Sequence, residues 1–448
     1  MSAIARFFQA RGAAVSGYDK TSTDLTAELE AAGIAIHYNE DVAVIPKDAN
    51  LVVYTPAVPD EHAELVFYRS NRYNVVKRSD VLQIITKDTF NVCIAGTHGK
   101  TTISTLTAHI LKQSGYGCTA FLGGIAVNYG TNFWSTSDST VVVEADEYDR
   151  SFLKLSPNIA VITSMDADHL DIYGDEVSMQ DAFVEFGNKV DEQGLLISKF
   201  GLKRTREIAR KKMSYSLSND AADAFAFDIK IENGGYRYSV QLPNGTINEL
   251  ELHVGGMHNV ENSVAAVSIA ASLGIDDGKI REAVKDFKGV KRRFEYIIAP
   301  EEKQQGGHTQ PVLIDDYAHH PEELKALLSS AKSLFPQRKI VIIFQPHLFT
   351  RTRDLAAGFA TSLSLADKVI LLPIYPAREL PIEGVNSQMI LKKIDREGVE
   401  VVEKAGLENW LEQYVKTIDK EFGEVIITAG AGDIDTLLPS LKNIIERA

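Results

Sequence analysis

Two cysteines, two tryptophans and no apolar run of membrane-spanning length occur in this chain of 448 residues, and each scarcity removes a class of protein. With Cys93 and Cys118 alone, neither a disulfide scaffold nor a cysteine-rich zinc site can be built. Cys93 falls inside an apolar strand, so both read as packing residues in a reducing cytoplasm. No stretch approaches the ~20 apolar residues that cross a bilayer, and no signal peptide is legible, so the expectation is a cytoplasmic protein without membrane insertion. Basic residues are also in deficit: 47 Lys and Arg against 61 Asp and Glu leave a formal charge of -14. That charge repels a phosphate backbone and argues against a nucleic-acid partner. Any nucleotide must then be held by local geometry and metal.

What is present is an ordinary globular composition, 44% hydrophobic and 24% charged. A prior of about 150 residues per domain divides this length into roughly three. The most informative stretch is NVCIAGTHGKTT, residues 91–102, which reads as a buried strand, a glycine turn and the start of a helix. Backbone N–H groups in such a turn point at anionic oxygens, Lys100 adds a movable positive charge, and the Thr101 hydroxyl is a ligand for Mg2+. Ile103, Leu106, Ile110 and Leu111 recur at helical spacing and Gly115 stops the run. The usual phosphate-loop pattern has a glycine five residues before Gly99, where this chain has Ile94, so the loop is a shorter variant.

Ligands of open α/β sheets bind at the carboxyl ends of strands, so polar residues just past each strand are candidate site residues. TVVVEAD places Glu144 where a nucleotide site needs a further Mg2+ ligand, with helix capping as the alternative. After NIAVITS comes Ser164-Met165-Asp166-Ala167-Asp168-His169, in which magnesium's preference for oxygen favours Asp166 or Asp168 and leaves His169 undecided. In GMHNVEN, Asn259 and Asn262 share a helix face beside His258. Their amides suit either a base edge or a cap. Further on, DDYAHHP and FQPHLFTRTRD put histidines and arginines at successive strand ends, a pattern suited to capturing a carboxylate.

The organisation expected is α/β throughout: three domains, each an open, mostly parallel sheet with flanking helices. The first is Rossmann-like over residues 1–89, the second a P-loop ATPase over 90–292, the third Rossmann-like over 293–448. The second carries an antiparallel insertion over residues 224–254, preceded by a basic helix over 203–212 assigned no function. The first domain opens directly in a helix, SAIARFFQARG, without the strand and glycine turn that should precede it. The native start is therefore expected upstream of Met1.

Taken together, AGTHGKTT, VVEADEYDRSF, DADHLDIYG, GMHNVEN, GVKRRFE, DDYAHHP, FQPHLFTRTRD and GAGDI resemble the Mur ligases of peptidoglycan precursor synthesis, in the family's order and over nearly the whole chain. The resemblance implies ATP and Mg2+ as cofactors and UDP-N-acetylmuramate and L-alanine as small-molecule substrates, joined through an acyl phosphate. It implies a UDP-sugar-binding first domain and an amino-acid-binding third domain. The loop Gly96, Thr97, His98, Gly99, Lys100, Thr101 and Thr102 would hold phosphates. Thr101, Glu144 and His169 would hold metal, with Lys100, Glu144 and His169 catalytic. His258, Asn259 and Asn262 would surround adenine, Arg293 a phosphate and Asp316 the ribose. Tyr317, His319, His347 and Arg351 would line the amino-acid pocket. The family's arginine after the histidine of FQPH is Leu348 here, which shifts carboxylate recognition onto Arg351. Two other readings remain: ligation of a recycled tripeptide to the same sugar nucleotide, and a non-catalytic nucleotide binder. No motif separates a monomer from a homodimer.

Overall fold

The computed structural model describes residues 1–137, 139–166, 170–301, 309–377 and 379–447. The first segment carries four short strands, β1 (Ser16–Tyr18), β2 (Ala35–His37), β3 (Val52–Tyr54) and β4 (Val75–Lys77). β1 pairs with β2 and β3 with β4, both in parallel. These α/β elements are parallel, as expected, and among the described residues the four strands lie as two separate parallel pairs.

The opening helix, Ser2–Ala10, buries Ala3, Ile4 and Phe7 on one face, as the 3.6-residue period dictates. That face lies on the next segment: the Phe7 ring meets Phe121 at 5.4 Å and Phe133 at 6.2 Å. Lys77 pairs with Asp149 at 3.2 Å, and Lys154 bonds Asp80, so the first and second segments are joined by an apolar patch flanked with ion pairs.

The second segment is built on ten strands. They are β5 (Phe90–Ala95), β6 (Thr119–Ala126), β7 (Thr131–Ser135), β8 (Thr140–Glu144), β9 (Ile159–Ile162), β10 (Leu195–Lys199), β11 (Lys212–Ser216), β12 (Ala224–Glu232), β13 (Gly235–Leu242) and β14 (Gly245–Leu252). Their order in the sheet is β14-β13-β12-β11-β10-β9-β5-β8-β6-β7. β5 is central, flanked in parallel by β8 and β9. Its alternate side chains enter opposite cores, as strand geometry requires. Val92 and Ile94 pack with Ile103 and Leu106 of the helix Lys100–Gln113, while Cys93 and Ala95 pack with Phe183 and Phe186 of the helix Glu176–Asn188. Burial on both faces explains why this strand reads as a continuous apolar run.

The expected hairpins are present as β12, β13 and β14, antiparallel to one another. The basic helix expected over 203–212 is not. Lys203–Glu207 is a short 3-10 turn and Lys212–Ser216 is the strand β11, paired with β10 and burying Tyr215. Tertiary contacts overrode a local helix preference: Ile208 is buried against Gly187, and pairing with β10 begins at Lys212.

The third segment is a six-stranded sheet of β15 (Glu295–Ile298), β16 (Val312–Asp316), β17 (Lys339–Phe344), β18 (Lys368–Leu371), β19 (Val399–Val401) and β20 (Glu424–Ala429). The order is β15-β16-β20-β17-β18-β19, parallel except for β15. Helices Pro321–Leu334 and Phe349–Leu363 share the core that holds Ile342 and Phe344. Helices Leu407–Tyr414 and Leu438–Glu446 share the other, with Val341 and Ile343. Among the described residues no helix is long and apolar enough to cross a membrane.

Replacing Phe7 with alanine leaves a void at the contact between the first and second segments and should cost about 3 kcal/mol. Urea titration followed by far-UV circular dichroism is expected to show an earlier transition in Phe7→Ala than in wild type. An unmoved transition would mean that this ring does not hold the two segments together.

Candidate functional site

The glycine turn after β5 takes its shape from two hydroxyl residues that follow β9. Ser164 Oγ lies 2.6 Å from Thr97 Oγ1 and accepts the His98 N–H at 3.0 Å, while the Thr163 hydroxyl donates to the His98 carbonyl. Gly96 has φ 128° and a side-chain carbon there would overlap Thr163, so this backbone is open to glycine alone. Gly99, φ 79°, starts the helix Lys100–Gln113, and the first intrahelical bond to the turn runs from Ile103 N–H to the Gly99 carbonyl at 3.0 Å. The N–H groups of Lys100, Thr101 and Thr102 are therefore the unpaired donors of a helix N-terminus, the place where backbone dipoles favour an anion.

Three side chains surround that N-terminus. Lys100 Nζ donates to the Gly96 carbonyl at 2.7 Å and to both oxygens of Glu147 at 2.7 and 2.6 Å. Thr101 Oγ1 donates to Glu144 Oε1 at 3.1 Å, and the Gly123 N–H donates to Glu144 Oε2 at 2.9 Å. Asn262 reaches the turn from the helix Met257–Ser272: its Oδ1 would stand 2.7 Å from a side-chain carbon placed at Gly99. Asn262 Nδ2 in turn donates to Asn259 Oδ1 at 3.1 Å, and Asn259 Nδ2 donates to the Gly255 carbonyl at 2.7 Å. The two amides thus form a chain behind the turn, and the Gly255 bond anchors the start of their own helix.

The donor set beside the turn fits magnesium. A hydroxyl and a carboxylate are hard oxygen ligands, and magnesium keeps several waters and takes phosphate oxygens for the rest. Among the described residues no three His, Cys, Asp or Glu side chains cluster for a metal. Asp166 is exposed, with its carboxylate 3.8 Å from His98 Nε2. Asp168 and His169 lie outside the described residues.

A second group of predicted residues gathers at the carboxyl edge of the third sheet. Arg351 donates to His347 Nδ1 at 3.3 Å, and the His347 ring lies 6.0 Å from His319 and stacks at 5.8 Å on Tyr375. Tyr317 meets His319 edge-on at 5.1 Å. Burial, with Arg351 and His319 alongside, lowers the His347 pKa, so the ring is a neutral acceptor for the Arg351 guanidinium. Asp316 is half-buried, takes the Phe294 N–H at 2.7 Å and the Ala318 N–H at 2.8 Å, and has its pKa pushed up to about 6 by burial.

Residues 289–294 join the two groups. Val290 lies against Gly124, which also abuts Thr101, and the Lys291 N–H donates to the Ile125 carbonyl at 2.9 Å. Arg292 then enters the third sheet's edge: Nε lies 3.3 Å from Asp315, Nη1 3.2 Å from Asp435, and Nη2 donates to the Gly430 carbonyl. Its own carbonyl accepts the Tyr317 N–H at 2.8 Å. Arg292, Glu147, Gly123 and Tyr375 were not among the residues expected at the site, where Arg293 stood instead of Arg292. Glu147 alone had a local signal, as the third acid of the EADE run; the others gain partners only through sheet assembly.

A glycine turn at a helix N-terminus, a lysine, and a hydroxyl–carboxylate pair define a nucleotide-phosphate-binding α/β protein, here linked to a second open sheet with a cationic and aromatic edge. The chain belongs to the Mur ligase family. Three family descriptions match it in order: Mur ligase family, catalytic domain, over residues 1–89; Mur ligase middle domain over 94–270; and Mur ligase, glutamate ligase domain, over 292–432. Among its relatives are proteins of Flavobacterium johnsoniae, 44% identical over 449 residues, and Cytophaga hutchinsonii, 45% identical over 457 residues, each named UDP-N-acetylmuramate--L-alanine ligase. The alignments span 99% and 100% of this chain and 95% of each relative. The crystal structure of UDP-N-acetylmuramate-alanine ligase MurC from Thermotoga maritima superposes with a TM-score of 0.79 at 31% identity, covering 100% of this chain and 96% of that one.

A side-chain carbon at the exposed Gly123 would meet the carboxylate end of Glu144, which would have to swing aside to admit it. Gly123→Ala should lower the melting temperature only slightly, by less than the about 1–3 kcal/mol of an overpacked core, because the displaced group is the mobile end of Glu144. A loss on that larger scale would show that Glu144 has no room to move away from Thr101.

Proposed function

We propose that this chain catalyses the ATP-dependent joining of L-alanine to the lactyl carboxylate of UDP-N-acetylmuramate, a step of peptidoglycan precursor synthesis. The observation that carries the reading is the Lys100 ammonium beside the Thr101–Glu144 pair at one helix N-terminus. Relatives of that name, at about this identity over the full chain, support it.

The reaction needs a poor leaving group made good. A carboxylate oxygen of the sugar nucleotide attacks the terminal phosphorus of ATP, the bond to the bridging oxygen breaks, and ADP departs. The alanine amine then attacks the acyl carbon, phosphate leaves with the bonding electron pair, and the amine gives up a proton. Backbone donors of residues 96–102 bind the phosphates, and Lys100 balances charge that develops on the transferred group. Thr101 and Glu144 would hold Mg2+, which neutralises phosphate charge when bound, and His169 is a further proposed ligand. His258, Asn259 and Asn262 are proposed for the adenine, Arg293 for a phosphate and Asp316 for the ribose. At the third sheet's edge Arg351, oriented by neutral His347, is positioned to take the amino-acid carboxylate, with Tyr317 and His319 closing the site. Domain limits after residues 89 and 292 follow on this reading, with a UDP-sugar domain first and an amino-acid domain last. The setting proposed is the cytoplasm.

The test is phosphate release from ATP with UDP-N-acetylmuramate and a panel of L-alanine, L-serine, glycine and a cell-wall tripeptide. Release with L-alanine is expected, and release with the tripeptide alone would assign the chain to recycling instead. Lys100→Ala should lower kcat by about a hundredfold or more, the scale of removing one preorganised electrostatic donor, with the circular dichroism spectrum unchanged. Near-normal turnover in that variant contradicts the assignment. Arg351→Ala should raise KM for L-alanine at least tenfold while that for ATP stays put, whereas equal effects on both would remove the clamp role.

A further inference from the structure

Among the described residues, the bonds that Lys100 makes through its ammonium run to groups that are not ligands of a nucleotide: the Gly96 carbonyl within the turn, and both oxygens of Glu147. Glu147 has a side chain only 1% exposed, and Lys100 one of 14%. Burial raises the Glu147 pKa, and the adjacent ammonium opposes that rise. A carboxylate in such a place is costly without its counter-ion, and so is the ammonium.

Glu147 is also not free to travel. Its carbonyl accepts the Tyr173 hydroxyl at 2.5 Å and the Arg150 N–H at 3.0 Å, and the Phe152 N–H donates to the Asp146 carbonyl at 3.1 Å. Asp149 and Arg150 follow with φ of 55° and 54°, a tight left-handed turn that fixes where Glu147 points. If Lys100 swings toward phosphates, its carboxylate partner stays behind.

Resting on the nucleotide reading above, we infer that Glu147 competes with the bound nucleotide for Lys100. It is a positioning residue that holds the ammonium in the empty site and draws it back, so that nucleotide affinity is held down and the diphosphate product is released. The physics is a linkage: whatever stabilises the empty protein weakens every ligand that must break that stabilisation. Removing the negative charge while keeping the side-chain shape leaves a partly buried ammonium without its counter-ion, and an arriving phosphate then relieves it.

Glu147→Gln should therefore bind Mg·ADP and Mg·AMP-PNP about tenfold more tightly than wild type by isothermal titration calorimetry. AMP, which lacks the outer phosphates, should bind with unchanged affinity. A merely structural role gives the opposite sign, because a disturbed turn binds phosphate less well. Equal or weaker binding of ADP by Glu147→Gln, with wild type binding normally, overturns the inference and leaves the function standing. Wild-type protein that binds neither nucleotide overturns both. Should the amide variant fail to fold, Glu147→Asp keeps the charge but shortens its reach to Lys100; tighter ADP binding there supports the inference, and equal or weaker binding overturns it.

Discussion

The Lys100 ammonium is the charge that the surrounding structure has to accommodate, because a cation brought out of water must be met by fixed acceptors close at hand. It is met by one carbonyl and one carboxylate drawn from different parts of the chain, Gly96 and Glu147. Both positions are consequences of sheet order. With β5 seated between β8 and β9, the turn after β5 faces the segments following its two neighbours. Glu144 and Glu147 come from one side, Thr163 and Ser164 from the other. The proposed phosphate site is thus the convergence of three parallel strand ends, and a glycine turn removed from that setting would have neither its shape nor its charge balance.

The same rule operates at the third sheet, where β16, β20 and β17 end side by side and deliver Asp315 and Asp316, Gly430, and Gln345 to His347. Arg292 connects the two edges by ion-pairing with Asp315 and Asp435 and donating to the Gly430 and Gly432 carbonyls, while the preceding residues lie along β6. A guanidinium with five donors in a planar fork suits this bridging, since one side chain satisfies several acceptors from different loops. Burial raises the Asp315 pKa to about 6, and the hydrogen bond from the Thr428 hydroxyl, followed by the Arg292 charge, opposes that rise.

Some features were legible before any coordinates because they depend on neighbours in the chain. The strand, turn and helix of residues 91–102 carry their own signals: apolar residues, glycines where φ must be positive, and helical spacing afterwards. The hairpins of the second segment were legible from Asn-Gly turns between alternating residues, and the strands around Val312, Lys339, Lys368 and Glu424 from their continuous apolar runs. The family followed from the order of these motifs. Residues 203–212 misled because their charge and spacing suit a helix, whereas only a short 3-10 turn forms over Lys203–Glu207 and pairing with β10 takes Lys212 at the end of the run.

The amino-acid sequence determined by itself the strand, glycine turn and helix of residues 91–102, the hairpins of the second segment and the apolar strands of the third, and where the turn after β5 needed glycine. It determined these because hydrophobic periodicity and backbone sterics act over a few residues. Tertiary structure alone decided that Lys100 would be held by Glu147, that Gly123 would lie against Glu144, that Arg292 would bridge two sheets, and that the first segment's strands would pair two by two. Those outcomes turn on which strands become neighbours. That choice is made by burial and hydrogen bonding across tens to hundreds of residues, and it leaves no mark on any one stretch of chain.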